Sequence, residues 1–204
     1  MVNYYWNVAL GEALYSSLHA SELALRNSIH AGFSQRFGTN EWYDVPDLLE
    51  SNDLDAVKQI RDRADKENGN PTSDQMVSRL SYGFWTNMVS GKYDQRIWSP
   101  YRYAMVTTVF PYAKGPNGRQ LGRNVLGKHY TKGKALRNRV AHFEQIFNSD
   151  RLIDNHAAIH EGISWIDPVL QSITESTNSF PDVYYNGKAK IRSQIQSFTA
   201  QGVP

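Results

Sequence analysis

Apolar side chains recur along most of this chain at the 3.6-residue spacing of amphipathic helices, and no useful length shows the alternation typical of strands. The first such segment covers residues 3–37, contains no proline and ends at Gly38, a residue type that commonly terminates helices. It predicts one long helix, or two that meet near residues 16–21. We therefore expect an all-α fold, a single-domain helical bundle of about seven helices over residues 1–204.

Capping residues, proline and glycine delimit the remaining predicted helices. These helices cover about 53–67, 73–89, 101–110, 121–147, 150–174 and 188–198. Asp53 is the predicted N-cap of the first of them, and Thr72 or Ser73 caps the second. Gly127 and Gly133 weaken the helical pattern of the fourth, so we expect a kink or break at one of these two glycines.

Composition excludes several classes of protein. The chain has no cysteine, which rules out a disulfide framework, thiolate catalysis and cysteine-ligated zinc or iron–sulfur sites. Its N-terminus lacks a basic stretch followed by a long apolar one, so we expect no signal peptide. No apolar run approaches the ~20 residues that a membrane span requires. We expect a cytoplasmic protein without a membrane partner.

Positive charge is concentrated in one segment of the chain. Residues 95–143 contain ten Lys and Arg and no Asp or Glu, whereas both flanking regions carry net negative charge. Such a segment indicates a surface for an anionic partner, here RNA, unless folding spreads the charges over several faces. The residues that we expect to contact the RNA backbone are Lys114, Arg119, Arg123, Lys128, Lys132, Lys134 and Arg139.

Arg137, Asn138 and His142 lie at the end of this basic segment and carry its candidate chemistry. On a helical wheel, an apolar stripe that would face the core is formed by Leu136, Val140, Phe143 and Phe147. Asn138 and His142 would then share another face, with Arg137 at its edge. The three polar side chains are therefore predicted to be available to a ligand or to a second subunit.

These three residue types suit the cleavage of RNA. An imidazole can take a proton from the ribose 2′-hydroxyl or give one to the 5′-oxygen. A guanidinium can pair two phosphate oxygens and stabilise the charge that builds on phosphorus. We predict that His142 transfers the proton, Arg137 stabilises the phosphate and Asn138 orients the pair. Cleavage needs two proton-transfer groups, and His142 of one chain is only one of them. A two-fold dimer would supply the second from the other copy.

A second polar set occupies the first predicted helix. Glu22, Arg26 and His30 are spaced by four, and Asn27 follows the arginine. The simpler interpretation is a solvent-exposed Glu–Arg pair, which stabilises a helix by about 0.2–0.5 kcal/mol. The alternative is a supporting shell that positions the main site or makes a second contact with RNA.

Two further histidine patterns are weaker candidates. Arg123 and His129 fit a looser version of the catalytic pattern, but Gly127 lies between them. His156 and His160 are four apart, a spacing that some metal sites use. His156 falls within an apolar stripe, so we interpret it as a hydrogen-bonded core histidine and expect no metal.

The sequence Leu-Arg-Asn-Arg-Val-Ala-His-Phe-Glu at 136–144 resembles the motif of the HEPN superfamily, an Arg, a polar residue, three to five further residues and a His. With segments 21–30 and 80–85, the chain resembles the Abi-like (abortive infection) branch of that superfamily. The resemblance implies an all-α fold that often dimerises and a metal-independent endoribonuclease site across the two-fold axis. Carried onto this chain, Arg137 and His142 would be the catalytic pair and Asn138 the polar partner.

The resulting hypothesis is a homodimeric HEPN-type endoribonuclease of antiphage defence (abortive infection) or of a toxin–antitoxin stress response. It would cleave RNA to 2′,3′-cyclic phosphates with no cofactor, and an antitoxin or other regulatory protein would be a further partner. Glu144 occupies the position of the tyrosine that is modified in HEPN toxins silenced by a nucleotidyltransferase, which argues against that regulation. The alternatives are a module that binds RNA or a nucleotide without cleavage, and an interaction subunit that docks an acidic protein.

Overall fold

The computed structural model describes residues 1–67, 69–100 and 102–200, which contain nine α-helices and no β-strand. The helices are α1 (Val2–Phe37), α2 (Ser51–Glu67), α3 (Ser73–Arg79), α4 (Tyr82–Met88), α5 (Arg102–Val109), α6 (Arg123–Ala141), α7 (Leu152–Ser164), α8 (Pro168–Ser176) and α9 (Phe180–Ala200). The all-α bundle is confirmed, with nine helices in place of about seven. Tyr101, the first residue of the predicted helix that corresponds to α5, lies outside the described residues.

The first helix, α1, is continuous over 36 residues, so the break considered near residues 16–21 is absent. It ends as predicted, because Gly38 adopts a left-handed conformation with φ of 71°. Ser17 and Ser21, which lie in that stretch, are buried and hydrogen-bonded to side chains of later helices. Their hydroxyl groups therefore have partners inside the bundle and do not interrupt the helix.

The single helix predicted for 73–89 is wrong, because this stretch forms α3 and α4. Leu80 is extended, and the Ser81 side chain accepts a hydrogen bond from the backbone N–H of Phe84 at 3.3 Å. Ser81 is therefore the N-cap of a new helix. The predicted cap of α3 is confirmed, since Thr72 forms a capping box at its start.

Three other predicted boundaries also differ from the structure. The stretch 150–174 is divided into α7 and α8, because the Asp167 carboxylate caps α8 by accepting two backbone N–H groups. The last helix begins at Phe180 rather than near 188, and Pro181 lies in its first turn, where proline is tolerated. Asp53 is not an N-cap, because it lies inside α2 with its buried carboxylate bonded to other side chains.

The predicted break at Gly127 or Gly133 is wrong, because α6 continues through both glycines. A Cβ atom on Gly127 would lie 2.6 Å from the carbonyl oxygen of Val89. One on Gly133 would lie 3.1 Å from the hydroxyl oxygen of Tyr82. The glycines therefore allow α6 to approach the α4 segment closely.

Two buried clusters form the core, and α1 contributes to both. The first is rich in aromatic side chains and includes Phe33, Trp42, Trp85, Trp98 and Tyr130. The second joins the N-terminal half of α1 to α7, α9 and the end of α6. Among the described residues, no helix is both long and apolar enough to cross a membrane.

Candidate functional site

A pocket of about 370 Å³ lies between α1 and the C-terminal part of α6. Its polar lining residues are Tyr15, His19, Glu22, Arg26, Ser78 and Arg137. The structure therefore brings Arg137 of the predicted catalytic set together with Glu22 and Arg26 of the predicted supporting set. We refer to this feature as the Arg137 pocket.

Tyr82 of α4 contacts both of the helices that line the Arg137 pocket. Its hydroxyl group is buried, forms a 3.0 Å hydrogen bond with the Ser21 hydroxyl of α1, and lies against Gly133 of α6. Burial raises the pKa of Tyr82 to about 12, so the phenol stays protonated at neutral pH. The charge of Glu22 raises the pKa of this phenol and that of Arg137 lowers it, both less than burial does.

Arg137 is half-buried, and no ion pair of the described residues includes it. The exposed ion pair that the spacing of Glu22 and Arg26 predicts is also absent, so that interpretation is wrong. Arg26 instead donates to the side-chain oxygen of Asn27, which is exposed, at 3.4 Å. Within the part of the chain that the structure describes, the two guanidinium groups of the Arg137 pocket therefore have no carboxylate in direct contact.

His142 lies one residue beyond the end of α6, where the predicted helix to Phe147 stops short. Its backbone N–H donates to the Asn138 carbonyl at 2.9 Å, so these two residues stay one turn apart, as predicted. Both side chains are exposed. The His142 side chain does not line the Arg137 pocket, although the preceding residue, Ala141, does.

Phe143 does not belong to the core-facing stripe in which it was predicted. It has a left-handed backbone conformation with φ of 56°, and 91% of its surface is exposed. The N–H of Phe143 donates to Val140 and that of Glu144 to Arg139, which is the hydrogen-bond pattern of a Schellman C-cap. This turn ends α6 and directs the Phe143 ring toward solvent.

A larger groove, with a volume of about 1080 Å³, adjoins the Arg137 pocket. It lies between the start of α1 and the loop after α6, and its apolar members include Tyr4, Val8, Val140, Phe143 and Phe147. Tyr15 borders both cavities. Tyr4 is 66% exposed, so this groove presents aromatic surface that its own chain leaves uncovered.

Ion pairs within the chain engage two of the residues that were predicted to contact RNA. Arg123 is ion-paired with Asp94 at 3.0 Å, and Arg139 pairs with Glu144 and donates to the Gln145 carbonyl. Five of the predicted residues keep no such pair among the described residues. Of these, Lys114, Arg119, Lys128 and Lys132 are exposed, and Lys134 is half-buried.

The other histidines named from the sequence have structural roles. His30 accepts a 3.1 Å hydrogen bond from the Trp42 indole and does not line the Arg137 pocket, and burial lowers its pKa. His129 contacts the Ala158 carbonyl and packs against Trp165 with ring centres 4.2 Å apart. Burial lowers the pKa of His129 as well. Neither ring is placed to act beside Arg137.

His156 is a buried, hydrogen-bonded core histidine, which confirms the prediction. Its Nε2 atom lies 3.1 Å from the Asn178 side-chain oxygen, and His160 bonds the Ser17 hydroxyl at 2.9 Å. Ser17 is fully buried, so the Ser17–His160 pair cannot attack a substrate. The described residues contain no group of three or more His, Asp or Glu side chains placed to hold a metal ion.

Sequence reasoning missed three members of the Arg137 pocket. His19 precedes Glu22 by three residues and Arg26 by seven, so helical spacing alone could have identified it. Tyr15 is one further turn toward the N-terminus on the same face. Ser78 comes from the end of α3, and nothing in the sequence connects it with the other members.

Comparisons of the chain with protein-family models, with curated proteins and with solved structures returned no match. The residues of the Arg137 pocket and the surfaces around it are therefore the evidence for the function of this protein.

Proposed function

We propose that this protein is a metal-independent endoribonuclease of the HEPN type. The observation that carries the proposal is the half-buried residue Arg137, which lines a pocket together with Arg26 and has no ion-pair partner among the described residues. A cation in this position is available to a phosphate group. His142 follows little more than one turn later, so an imidazole and a guanidinium lie near the same end of α6.

The reaction needs two proton transfers. The ribose 2′-oxygen attacks the adjacent phosphorus and loses its proton to one imidazole, while the bond to the 5′-oxygen breaks and that oxygen takes a proton from a second imidazole. The products are a 2′,3′-cyclic phosphate and a 5′-hydroxyl. In this proposal His142 carries the protons, Arg137 stabilises the charge on the phosphoryl oxygens, and Asn138 orients the pair.

A second copy of the chain would supply the second imidazole. The apolar groove and the exposed ring of Phe143 adjoin His142, and exposed aromatic surface of this kind favours contact with another protein. In a two-fold dimer each Phe143 would enter the groove of the other copy. The two His142 side chains would then approach one another across the axis.

The RNA backbone would follow the exposed face of α6. Lys128 and Lys132 are one turn apart on this helix and exposed, and Lys114 and Arg119 extend the positive surface from the preceding loop. We place this activity in the cytoplasm, in antiphage defence or a related toxin–antitoxin response, with an antitoxin or other regulatory protein as partner.

A second candidate is a module that binds RNA or a nucleotide without cutting it. One observation favours it: the His142 side chain does not line the pocket that contains Arg137. If a dimer does not bring the two together, the pocket holds a phosphate but lacks a proton-transfer group from the motif.

The experiment is an RNA cleavage assay in the presence of a chelator, with analysis of the fragment ends. We expect wild-type protein to leave cyclic phosphates, and His142→Ala and Arg137→Ala to reduce the rate by about 100- to 10,000-fold. Lys58→Ala is the matched control, because Lys58 is an exposed cation of α2 far from α6 in the sequence. Full activity of either site variant would exclude this site, whereas binding without cleavage by wild type would favour the second candidate.

A further inference from the structure

The Arg137 pocket has the composition of an anion-binding site. Two guanidiniums, Arg26 and Arg137, share it with one carboxylate, Glu22, so it carries one more positive than negative charge. Neither arginine forms an ion pair among the described residues. Cations that line the same partly enclosed pocket without ion-pair partners attract a group with several anionic oxygens.

Further hydrogen-bonding groups surround these two cations. His19 also lines the pocket and can donate to an oxygen of a bound group. Ser78 lines it too, but its hydroxyl donates to the Gln75 carbonyl at 3.0 Å. A planar guanidinium pairs two oxygens at once, and two of them match the oxygens of a phosphoryl group better than a single carboxylate. The chemistry of the pocket therefore selects a phosphoryl group.

The size and rim of the pocket indicate what is attached to that phosphoryl group. A volume of about 370 Å³ is at the small end of ligand sites and suits one nucleotide. Tyr15 is 68% exposed at the rim, and its ring is nearly parallel to that of His19, with 10° between the planes. Such an exposed aromatic face is a surface on which a base can stack.

We propose that the Arg137 pocket binds one nucleotide of single-stranded RNA. Arg26 and Arg137 hold its phosphoryl group, His19 donates to a remaining oxygen, and the base stacks on Tyr15. The assignment of RNA as the source of this nucleotide rests on the proposed function. The site assigns roles in RNA binding to His19 and Tyr15, two residues outside the Arg-Asn-x-x-x-His motif.

The test is a titration of full-length protein with adenosine 5′-monophosphate, inorganic phosphate and adenosine, followed by calorimetry and by NMR of the histidine side chains. We expect the nucleotide to bind most tightly, phosphate more weakly and adenosine not measurably, with the largest shifts at His19. Arg26→Ala and Tyr15→Ala should each weaken nucleotide binding at least tenfold, and only Arg26→Ala should weaken phosphate binding. Lys58→Ala should bind like wild type, and urea unfolding shows whether each variant is folded.

Arg26→Lys keeps the charge but loses the bidentate contact, so its affinity for the nucleotide should lie between those of wild type and Arg26→Ala. Wild-type affinity of folded Arg26→Ala, or nucleotide binding that leaves the His19 signals unmoved, would overturn this proposal.

The outcome of this titration is separable from that of the cleavage assay. A protein that binds the nucleotide as expected but cuts no RNA retains this site and loses the proposed enzymatic function, whereas RNA cleavage unaffected by Arg26→Ala retains the function and removes this site.

Discussion

Phe143 occupies a backbone conformation that glycine usually supplies at the end of a helix, with φ of 56°. A left-handed conformation costs a residue with a side chain about 1–2 kcal/mol. The ring is 91% exposed, so packing within its own chain does not offset that cost. The strain is consistent with a role for the ring in contact with a second molecule.

The comparison of Phe143→Gly with Phe143→Ala separates strain from contact. Both remove the ring, but only glycine relieves the backbone, so Phe143→Gly should be more stable by about 1 kcal/mol. Urea unfolding measures this difference. Both variants should also weaken self-association in sedimentation, because both lose the exposed ring. Equal stability of the two variants would contradict the backbone argument, and unchanged self-association would exclude this face from the dimer.

The motif residues alone were a partial guide to the site. Helical spacing grouped Glu22 with Arg26, and the motif identified Arg137. The structure places all three residues in one pocket. The same spacing included His30, which instead accepts a hydrogen bond from Trp42. Spacing shows which residues share a face, but the fold decides which part of that face meets another helix.

The glycines of α6 show how a close approach between elements reverses the usual effect of a substitution. Alanine at Gly127 would gain about 1 kcal/mol of helix propensity, but its Cβ would lie 2.6 Å from a backbone carbonyl that cannot rotate away. We expect Gly127→Ala to lower the free energy of unfolding by about 1–3 kcal/mol.

Gly11→Ala in α1 is the matched control for this prediction. A Cβ at Gly11 would meet only a Val140 methyl group at 3.7 Å, an ordinary contact, so the propensity gain should remain. We expect stabilisation by about 0.5–1 kcal/mol in the same urea experiment. Stabilisation by Gly127→Ala as well would contradict the close approach of α6 to the Val89 carbonyl.

Helix boundaries within a continuous apolar pattern were the least predictable part of the fold. Apolar residues recur every fourth position at Met76, Leu80, Phe84 and Met88. This spacing continues across the break between α3 and α4. What stops the first helix is the Ser81 side chain, which caps the second. A serine inside a helix and a serine that caps one are identical in a hydrophobic pattern, and only the local backbone separates them.

The histidine cluster joins α1, α7 and α8 with the residues before α9, so its protonation affects the whole bundle. The rings of His156 and His160 are 4.6 Å apart, and Ser17, Glu175 and Asn178 surround them. Burial and then the neighbouring His160 lower the pKa of His156 to about 4. Burial also lowers the pKa of His160, against the opposing charge of Glu175.

These shifts predict loss of stability in acid. As pH falls below the ordinary histidine pKa of about 6.5, the unfolded chain binds protons that the folded chain does not, down to about pH 4. His156 should therefore contribute full stability above pH 6.5 and lose on the order of 2 kcal/mol by pH 4, after allowance for solvent screening. Urea unfolding from pH 4 to 7 tests this, and His156→Gln should flatten the curve. Equal slopes for both proteins would contradict it.

The all-α class, the extent of α1, the cap of α3 and the residues of the basic segment could all be predicted from the sequence. These follow from local periodicity and capping, which act over a few neighbouring residues. The ion pairs of Arg123 and Arg139, the continuity of α6 through its glycines and the pocket that His19 shares with Arg137 came only from the packing of distant segments. Those outcomes depend on distances between residues remote in sequence, which side-chain volume and close helix packing set.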